Sequence, residues 1–123
     1  APLTCSAVGK VCLAFMPRQK AERMITKAGI SQLTRKSHIT STSLWRDLDD
    51  TRKRQFAVDD EEHSDGLRCV SAPLFGPKSE VVGALSVSGP SVRISSQHMV
   101  SFGQIVKRVS LDMTKALGGS WPD

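Results

Sequence analysis

The sequence predicts an α+β domain in which helices cover a mainly antiparallel sheet, and three observations carry that expectation. Two strand-like runs, 67–75 and 81–88, flank a turn-rich Gly76-Pro77-Lys78-Ser79, which is the pattern of an antiparallel pair. Apolar residues repeat at helical spacing before these runs and again after them. No internal repeat, low-complexity segment or linker interrupts the 123 residues, which is room for one domain around a single core.

Residues 4–16 place Val8, Val11, Cys12 and Phe15 at i, i+3, i+4 and i+7, predicting a short buried helix with Thr4 as its N-cap and Pro17 as its terminator. The small opening residues Ser6-Ala7-Val8-Gly9 leave backbone N–H groups accessible. The first four N–H groups of a helix lack intrahelical acceptors, so an anion can dock there; a close-packed helix start is the other reading. After Pro17, Ala21, Met24, Ile25 and Ala28 repeat in the same way, and Gly29 is placed to close that helix in the left-handed region. Residues 30–39 are irregular and polar. Thr40-Ser41-Thr42 then offers caps for a third helix running through Gln55 and burying Leu44, Trp45 and Leu48.

Within the strand pair, alternation puts Ser86 and Ser88 on one face, Leu85 and Val87 on the other, and Leu67 with Cys69 on a shared face. Upstream, Val58-Asp59-Asp60-Glu61-Glu62-His63 brings carboxylates to the rim of the sheet. Beyond Pro90-Ser91, Ser95 is placed to cap a long helix. Its predicted apolar stripe is Phe102, Ile105, Val106, Val109, Met113, Ala116 and Leu117, ending at Gly118-Gly119 with a frayed tail over 120–123.

Hydrophobic residues at 39% and charged residues at 24% fit a water-soluble globular domain. No apolar run approaches the roughly 20 residues that span a bilayer, and no signal-peptide pattern is present. Cys5, Cys12 and Cys69 are odd in number and sit among apolar residues, which fits reduced thiols in a cytoplasmic protein. Seventeen basic residues against twelve acidic give a formal charge of +5. The basic residues are dispersed along helix faces (Arg18, Lys20, Arg23, Lys27; Arg52, Lys53, Arg54) without interleaved aromatics, the pattern of a solvated face rather than a nucleic-acid surface.

Two reactive constellations carry little weight. Cys69 and His63 could make a nucleophile and base, yet a cysteine inside an apolar strand reads better as an inert small hydrophobe. The run from Asp59 to His63 with Asp65 lacks the glycine-punctuated spacing of a calcium loop, so a solvated acidic rim is preferred to a metal site. Lys10 and Arg68 are expected to snorkel outward or to pair with that rim.

Three blocks, SAVGKVCLAFMP, VDDEEHSDGLRCVSAPLF and VVGALSVSGPSVRIS, resemble the C-terminal effector-binding domain of IclR-family bacterial transcription regulators, over Leu3 to Leu117. Gln55 stands where a glycine usually precedes the aromatic at Phe56, and Gly76-Pro77-Lys78-Ser79 replaces the usual Asp-x-x-Gly turn; both departures bear on loop shape. The resemblance implies a GAF-like fold and a sensory domain rather than an enzyme, without a cofactor or metal. It implies that the N–H groups of Ala7 and Val8 and the hydroxyls of Ser86 and Ser88 hold a small carboxylate. Asp59 would accept a hydrogen bond from the ligand's hydroxyl, with Cys69 and Leu67 lining the wall. A carboxylate beside a bound anion is unfavourable unless a hydroxyl or a proton separates them, which favours hydroxy-, hydrated oxo- and sugar acids, with aromatic acids also in range. Further implied are a homo-oligomer (dimer or tetramer), no membrane, and DNA contact only through an N-terminal winged helix-turn-helix domain outside this chain. With a start at Ala1 rather than Met, the first strands of the sheet are expected to be missing too. A small-acid enzyme and a pure interaction module are the alternatives.

Overall fold

The sheet is ordered β1-β2-β3, from β1 (Ala57–Asp60), β2 (Leu67–Phe75) and β3 (Val81–Pro90), and both pairings are antiparallel. Around it the computed structural model, which describes residues 3–122, places α1 (Ala7–Phe15), α2 (Arg18–Ala28), α3 (Ser41–Arg54) and α4 (Ser96–Ala116). This is the α+β arrangement the sequence predicts.

Strand alternation decides what each face does. Val58, Val70, Ala72 and Leu85 pack with Phe56, Ile94, Met99 and Val106, so one face is covered by α4. Ala57, Cys69 and Ala84 pack with Ala7, Val11, Cys12 and Phe15, so the other face is covered by α1. Leu13 and Ala14 point away from the sheet into a second cluster with Ala21, Ile25, Leu44 and Leu48, which lays α2 and α3 over α1. Burying such side chains is worth about 1.5–3 kcal/mol each, so α1, sandwiched on two sides, is the element with most to lose if it shifts.

Several local expectations are corrected. The N-cap of α1 is Ser6, whose hydroxyl accepts from the Gly9 N–H at 3.0 Å, and not Thr4, which is buried and instead accepts from Ser31 N–H at 3.1 Å. Gly29 has φ +77 but ψ 167, outside the left-handed helical region. Trp45 is half-buried and carries the Arg18 guanidinium 4.1 Å above its ring. On α4 the sheet-facing row is Met99, Gly103, Val106, Ser110 and Thr114, while Ile105, Val109, Met113 and Leu117 are exposed. Close approach selects the small row: a Cβ on Gly103 would lie 2.3 Å from the Phe56 ring, and Thr114 Oγ1 accepts from Phe75 N–H at 3.2 Å. The tail is docked as far as it is described, with Trp121 edge-on to Phe75 at 5.0 Å and Ser120 N–H donating to Gly76 carbonyl at 3.0 Å; Asp123 lies outside the described residues.

Both departures from the family pattern fall on left-handed backbone. Gln55 has φ 70 and ψ 23 at the end of α3, and Ser79 has φ 59 in the β2–β3 turn. A side chain in this region costs about 1–2 kcal/mol that glycine avoids. We expect Gln55→Gly to stabilise the domain by about 1 kcal/mol and to raise its thermal midpoint by about 4 °C; an unchanged or lowered midpoint would show that Gln55 is unstrained.

Candidate functional site

The strand register assembles the predicted residues into two adjacent rows on the α1 face. Asp59, Cys69 and Ser88 are direct cross-strand partners, and Ala57, Ser71 and Ser86 form the next row. Neighbours within a row have Cβ atoms about 4.5–5.5 Å apart. Ser86 Oγ donates to Ser71 Oγ at 3.0 Å. Leu67 lies at the end of the same face, opposite Pro90, and is half-buried. Val87 pairs with Val70 on the opposite face, as alternation requires, but is 37% exposed.

Above these rows runs α1. Its C-terminal half, at Cys12 and Phe15, shares a cleft with Val81–Gly83 at the start of β3, so α1 runs against β3 and its first turn lies toward Ser86 and Ser88. Ala7 is buried at the first helical position and Val8 is 41% exposed at the second. Ser6 Oγ takes the Gly9 N–H and Ser6 carbonyl takes the Lys10 N–H. Among the described residues the Ala7 and Val8 N–H groups take no acceptor, which leaves two donors at the positive end of the helix.

Asp59 is 3% exposed. One of its oxygens, Oδ1, accepts from the N–H groups of Glu62 at 2.8 Å and His63 at 3.3 Å. Burial pushes its carboxyl above the usual range despite those two bonds. Burial likewise raises the Cys69 thiol, with the nearby Ser88 hydroxyl opposing the shift and the charge of Asp59 adding to it. A thiol held protonated is the opposite of an activated nucleophile. No hydrogen bond joins His63 to Cys69 among the described residues, so the cysteine–base reading lacks its geometry.

Just behind this face Lys10 pairs with the acidic rim through Glu62, as one of its two expected fates, but from a buried position and with further partners that the sequence reading missed. Lys10 does not snorkel: it is completely buried, and its ammonium donates to Asp47 Oδ2 at 2.6 Å, to both Glu62 oxygens at 2.9 Å, and to the Val58 carbonyl. His38 Nε2 lies 2.8 Å from the same Asp47 oxygen, and Arg54 lies 3.5 Å from the other. Burial acts to raise Asp47, but the His38 hydrogen bond and the Lys10 charge outweigh it and hold that carboxyl well below the usual range. Glu62 moves the other way, because its burial exceeds the pull of Lys10. His38, Asp47 and Glu62 offer ligand atoms within 4.8 Å of one another, a metal-type donor set, yet the Lys10 ammonium stands among them. Position 10 was legible in part, since it lies three residues beyond Ala7 and four before Ala14, both buried. Arg68 does pair with the rim, donating to Asp60 at 2.8 Å. Ser71, fully buried, shares the parity of Leu67 and Cys69 and follows from the same alternation.

A cleft of about 580 Å³ lies at the other end of the α1–sheet groove and is lined by Phe15, Met16, Lys20, Arg52, Lys78 and Val82 among others. None of the seven predicted site residues lines it.

A family model described as the bacterial transcriptional regulator IclR C-terminal domain matches residues 1–115. The chain belongs to the IclR family. It is 35% identical over 118 residues to the transcriptional repressor IclR of Escherichia coli K12, covering 96% of this chain but 43% of that protein; the chain thus spans less than half the length of the curated relatives it matches. Among solved structures, the IclR of Thermotoga maritima superposes with a TM-score of 0.88 at 28% identity, covering 94% of this chain and 47% of that one. A double mutant of the PobR inducer-binding domain from Acinetobacter, in complex with 3-hydroxybenzoic acid, gives 0.85 at 20% identity, over 93% and 66% of the two chains, and is alike in fold. The curated relatives named here include transcriptional repressors.

The buried ammonium makes a direct prediction. Lys10→Met leaves Asp47 and Glu62 facing each other without their counter-ion, and removing one partner of a buried pair costs about 3–5 kcal/mol. Because the folded-state Glu62 carboxyl is already raised, its contribution is complete below the ordinary carboxylate range and lost as pH rises through the folded value. Without Lys10 this carboxyl rises further still, so acid relieves the variant more than the wild type and the gap between them narrows as pH falls. Urea titrations at pH 7 and pH 5 measure both effects; a wild-type midpoint at pH 7 would mean that the ammonium contributes nothing.

Proposed function

We propose that this chain is a ligand-sensing domain that binds a small carboxylate and communicates its occupancy to a DNA-binding domain elsewhere in the protein. The observation that carries this reading is that Asp59, Cys69, Ser86 and Ser88 share the sheet face that α1 covers, with Ala7 and Val8 in its first turn, whose N–H groups take no acceptor among the described residues. The two N–H donors and the Ser88 hydroxyl supply charge-assisted hydrogen bonds to a carboxylate, and the Ser86 hydroxyl joins them by turning its proton away from Ser71. Asp59, with Oδ1 occupied, offers Oδ2 to a hydroxyl on the ligand, and Leu67 and Cys69 close the wall. The 3-hydroxybenzoic acid held by the PobR domain is an acid with a hydroxyl, which supports the same ligand class here. The raised Cys69 thiol favours binding over turnover.

The outer edge of β3 is unpaired among the described residues, which suits further strands from the longer protein. The outward row Ile105, Val109, Met113 and Leu117 on α4 suits a second copy in a homo-oligomer.

Thermal-shift screening of the full-length protein with hydroxy-, oxo-, sugar and aromatic acids tests the ligand class. A true ligand at 100 times its dissociation constant stabilises by about 2.7 kcal/mol, and no shift with any acid would sink the assignment. Ser88→Ala should weaken binding about 10- to 150-fold with little change in stability. Val87→Ala, part-exposed and on the other face, should leave affinity unchanged at a cost near the low end of the usual range, about 1 kcal/mol. Because burial raises Asp59, anion affinity should fall as pH rises through its folded value; affinity independent of pH would remove Asp59 from the site.

A further inference from the structure

We infer that Lys10 is a positioning residue for the effector, fixing the distance between the N–H donors of α1 and the Asp59 acceptor through an ion cluster anchored on α3. This rests on the carboxylate reading. Lys10 lies one turn beyond Ala7 and grips the chain on both sides of Asp59: the Val58 carbonyl before it, and the Glu62 carboxylate after it at 2.9 Å. Asp59 itself holds the same turn by accepting from Glu62 and His63 N–H groups at 2.8 and 3.3 Å. Glu62 Oε2 also accepts from Asp60 N–H at 3.2 Å. One side chain thus spans the two halves of the proposed site.

The far anchor is outside that site. Asp47, on α3, meets Lys10 at 2.6 Å and is itself held by His38 at 2.8 Å and Arg54 at 3.5 Å. His38 is in turn fixed by Ser43, whose hydroxyl lies 2.5 Å from Nδ1. The 59–63 turn is pinned a second time from the same side, since the Ser37 hydroxyl donates to the Glu62 carbonyl and Thr34 Oγ1 to the Glu61 carbonyl. A buried cation with three acceptors has few alternative arrangements, because each lost bond leaves a buried charge unsolvated. The spacing it imposes selects acids whose hydroxyl sits at a matching distance from the carboxylate, and discriminates against the same acid without the hydroxyl, which leaves Asp59 unpaired.

The test uses full-length protein and three pairs of acids, each hydroxy-acid against its analogue: glycolate and acetate, lactate and propionate, 3-hydroxybenzoate and benzoate. Binding of Asp47→Asn, Asp47→Glu and Lys10→Met is measured by titration calorimetry below the thermal midpoint of each. The wild type should prefer at least one hydroxy-acid. Asp47→Asn, which touches no proposed ligand contact, should lose about tenfold or more of that preference, Lys10→Met should lose as much, and Asp47→Glu should restore most of it. Should Lys10→Met not fold, the Asp47 pair decides alone. A lowered midpoint with the wild-type preference intact in Asp47→Asn would mean that the cluster is structural only, and would overturn the inference. If the wild type binds these acids without preferring any hydroxy-acid, the inference fails while the carboxylate reading stands; if neither these nor the wider panel of oxo-, sugar and aromatic acids bind, the reading fails and takes the inference with it.

Discussion

The structure turns on a single completely buried ammonium. Lys10 projects from the most enclosed helix of the fold into a space bounded by α3, by the end of β1 and by the turn that follows it. There it meets two carboxylates and a backbone carbonyl. Removing such a charge from water costs several kcal/mol, and only a full set of acceptors offsets it. Each acceptor is therefore held by something else: Asp47 by His38 and Arg54, Glu62 by the Asp60 N–H and by its own packing. Neither carboxylate behaves as an ordinary surface group: burial acts to raise both, but the His38 hydrogen bond and the Lys10 charge outweigh it at Asp47, whereas it outweighs the pull of Lys10 at Glu62.

The face that α1 covers inherits its order from this arrangement. Strand alternation alone would place Asp59, Cys69 and Ser88 side by side, but it says nothing about the height of α1 above them. Lys10 ties that height to α3 and to the end of β1, while Gly9 lets the chain at Leu3 fold back against α1, where a Cβ would lie 2.3 Å from the Leu3 carbonyl oxygen. Among the described residues the Ala7 and Val8 N–H groups of that first turn take no acceptor, while those of Gly9 and Lys10 are taken by Ser6. The opposite face works by the same means, with Gly103 admitting the Phe56 ring and buried Ser110 and Thr114 completing a close helix–sheet contact.

Period-two alternation and the turn between β2 and β3 were legible because every side chain on a two-sided sheet reports its face. Ser86, Ser88, Leu67, Cys69 and Val87 all occupy the predicted sides. Helix faces were less legible. The apolar row predicted for α4 is largely exposed, since a helix seated close to a sheet needs small residues at the contact more than it needs large ones. Asp59 entered through family resemblance, and the pairing register with Cys69 gives it a physical place. Of the Lys10 cluster, a pairing with the acidic rim was legible, but the burial and the bond to Asp47 were not, because these partners are 37 and 52 residues away and no local pattern announces a lysine that faces inward. Gln55 and Ser79 were noticed as departures, and their left-handed backbone supplies the reason a glycine suits those positions.

Two regions of the α1–sheet groove compete as the place where a ligand would sit: the first turn of α1 with the serine pair, and the cation-lined cleft at the other end of the helix. Backbone amide NMR of isotopically labelled protein, titrated at mildly acidic pH with an acid that raises its thermal midpoint, separates them. The largest shifts should fall on the Ala7 and Val8 amides, with Ser86 and Ser88 close behind. Shifts concentrated instead on Phe15, Lys20 and Val82, with the first turn of α1 unmoved, would contradict the site proposed for this domain.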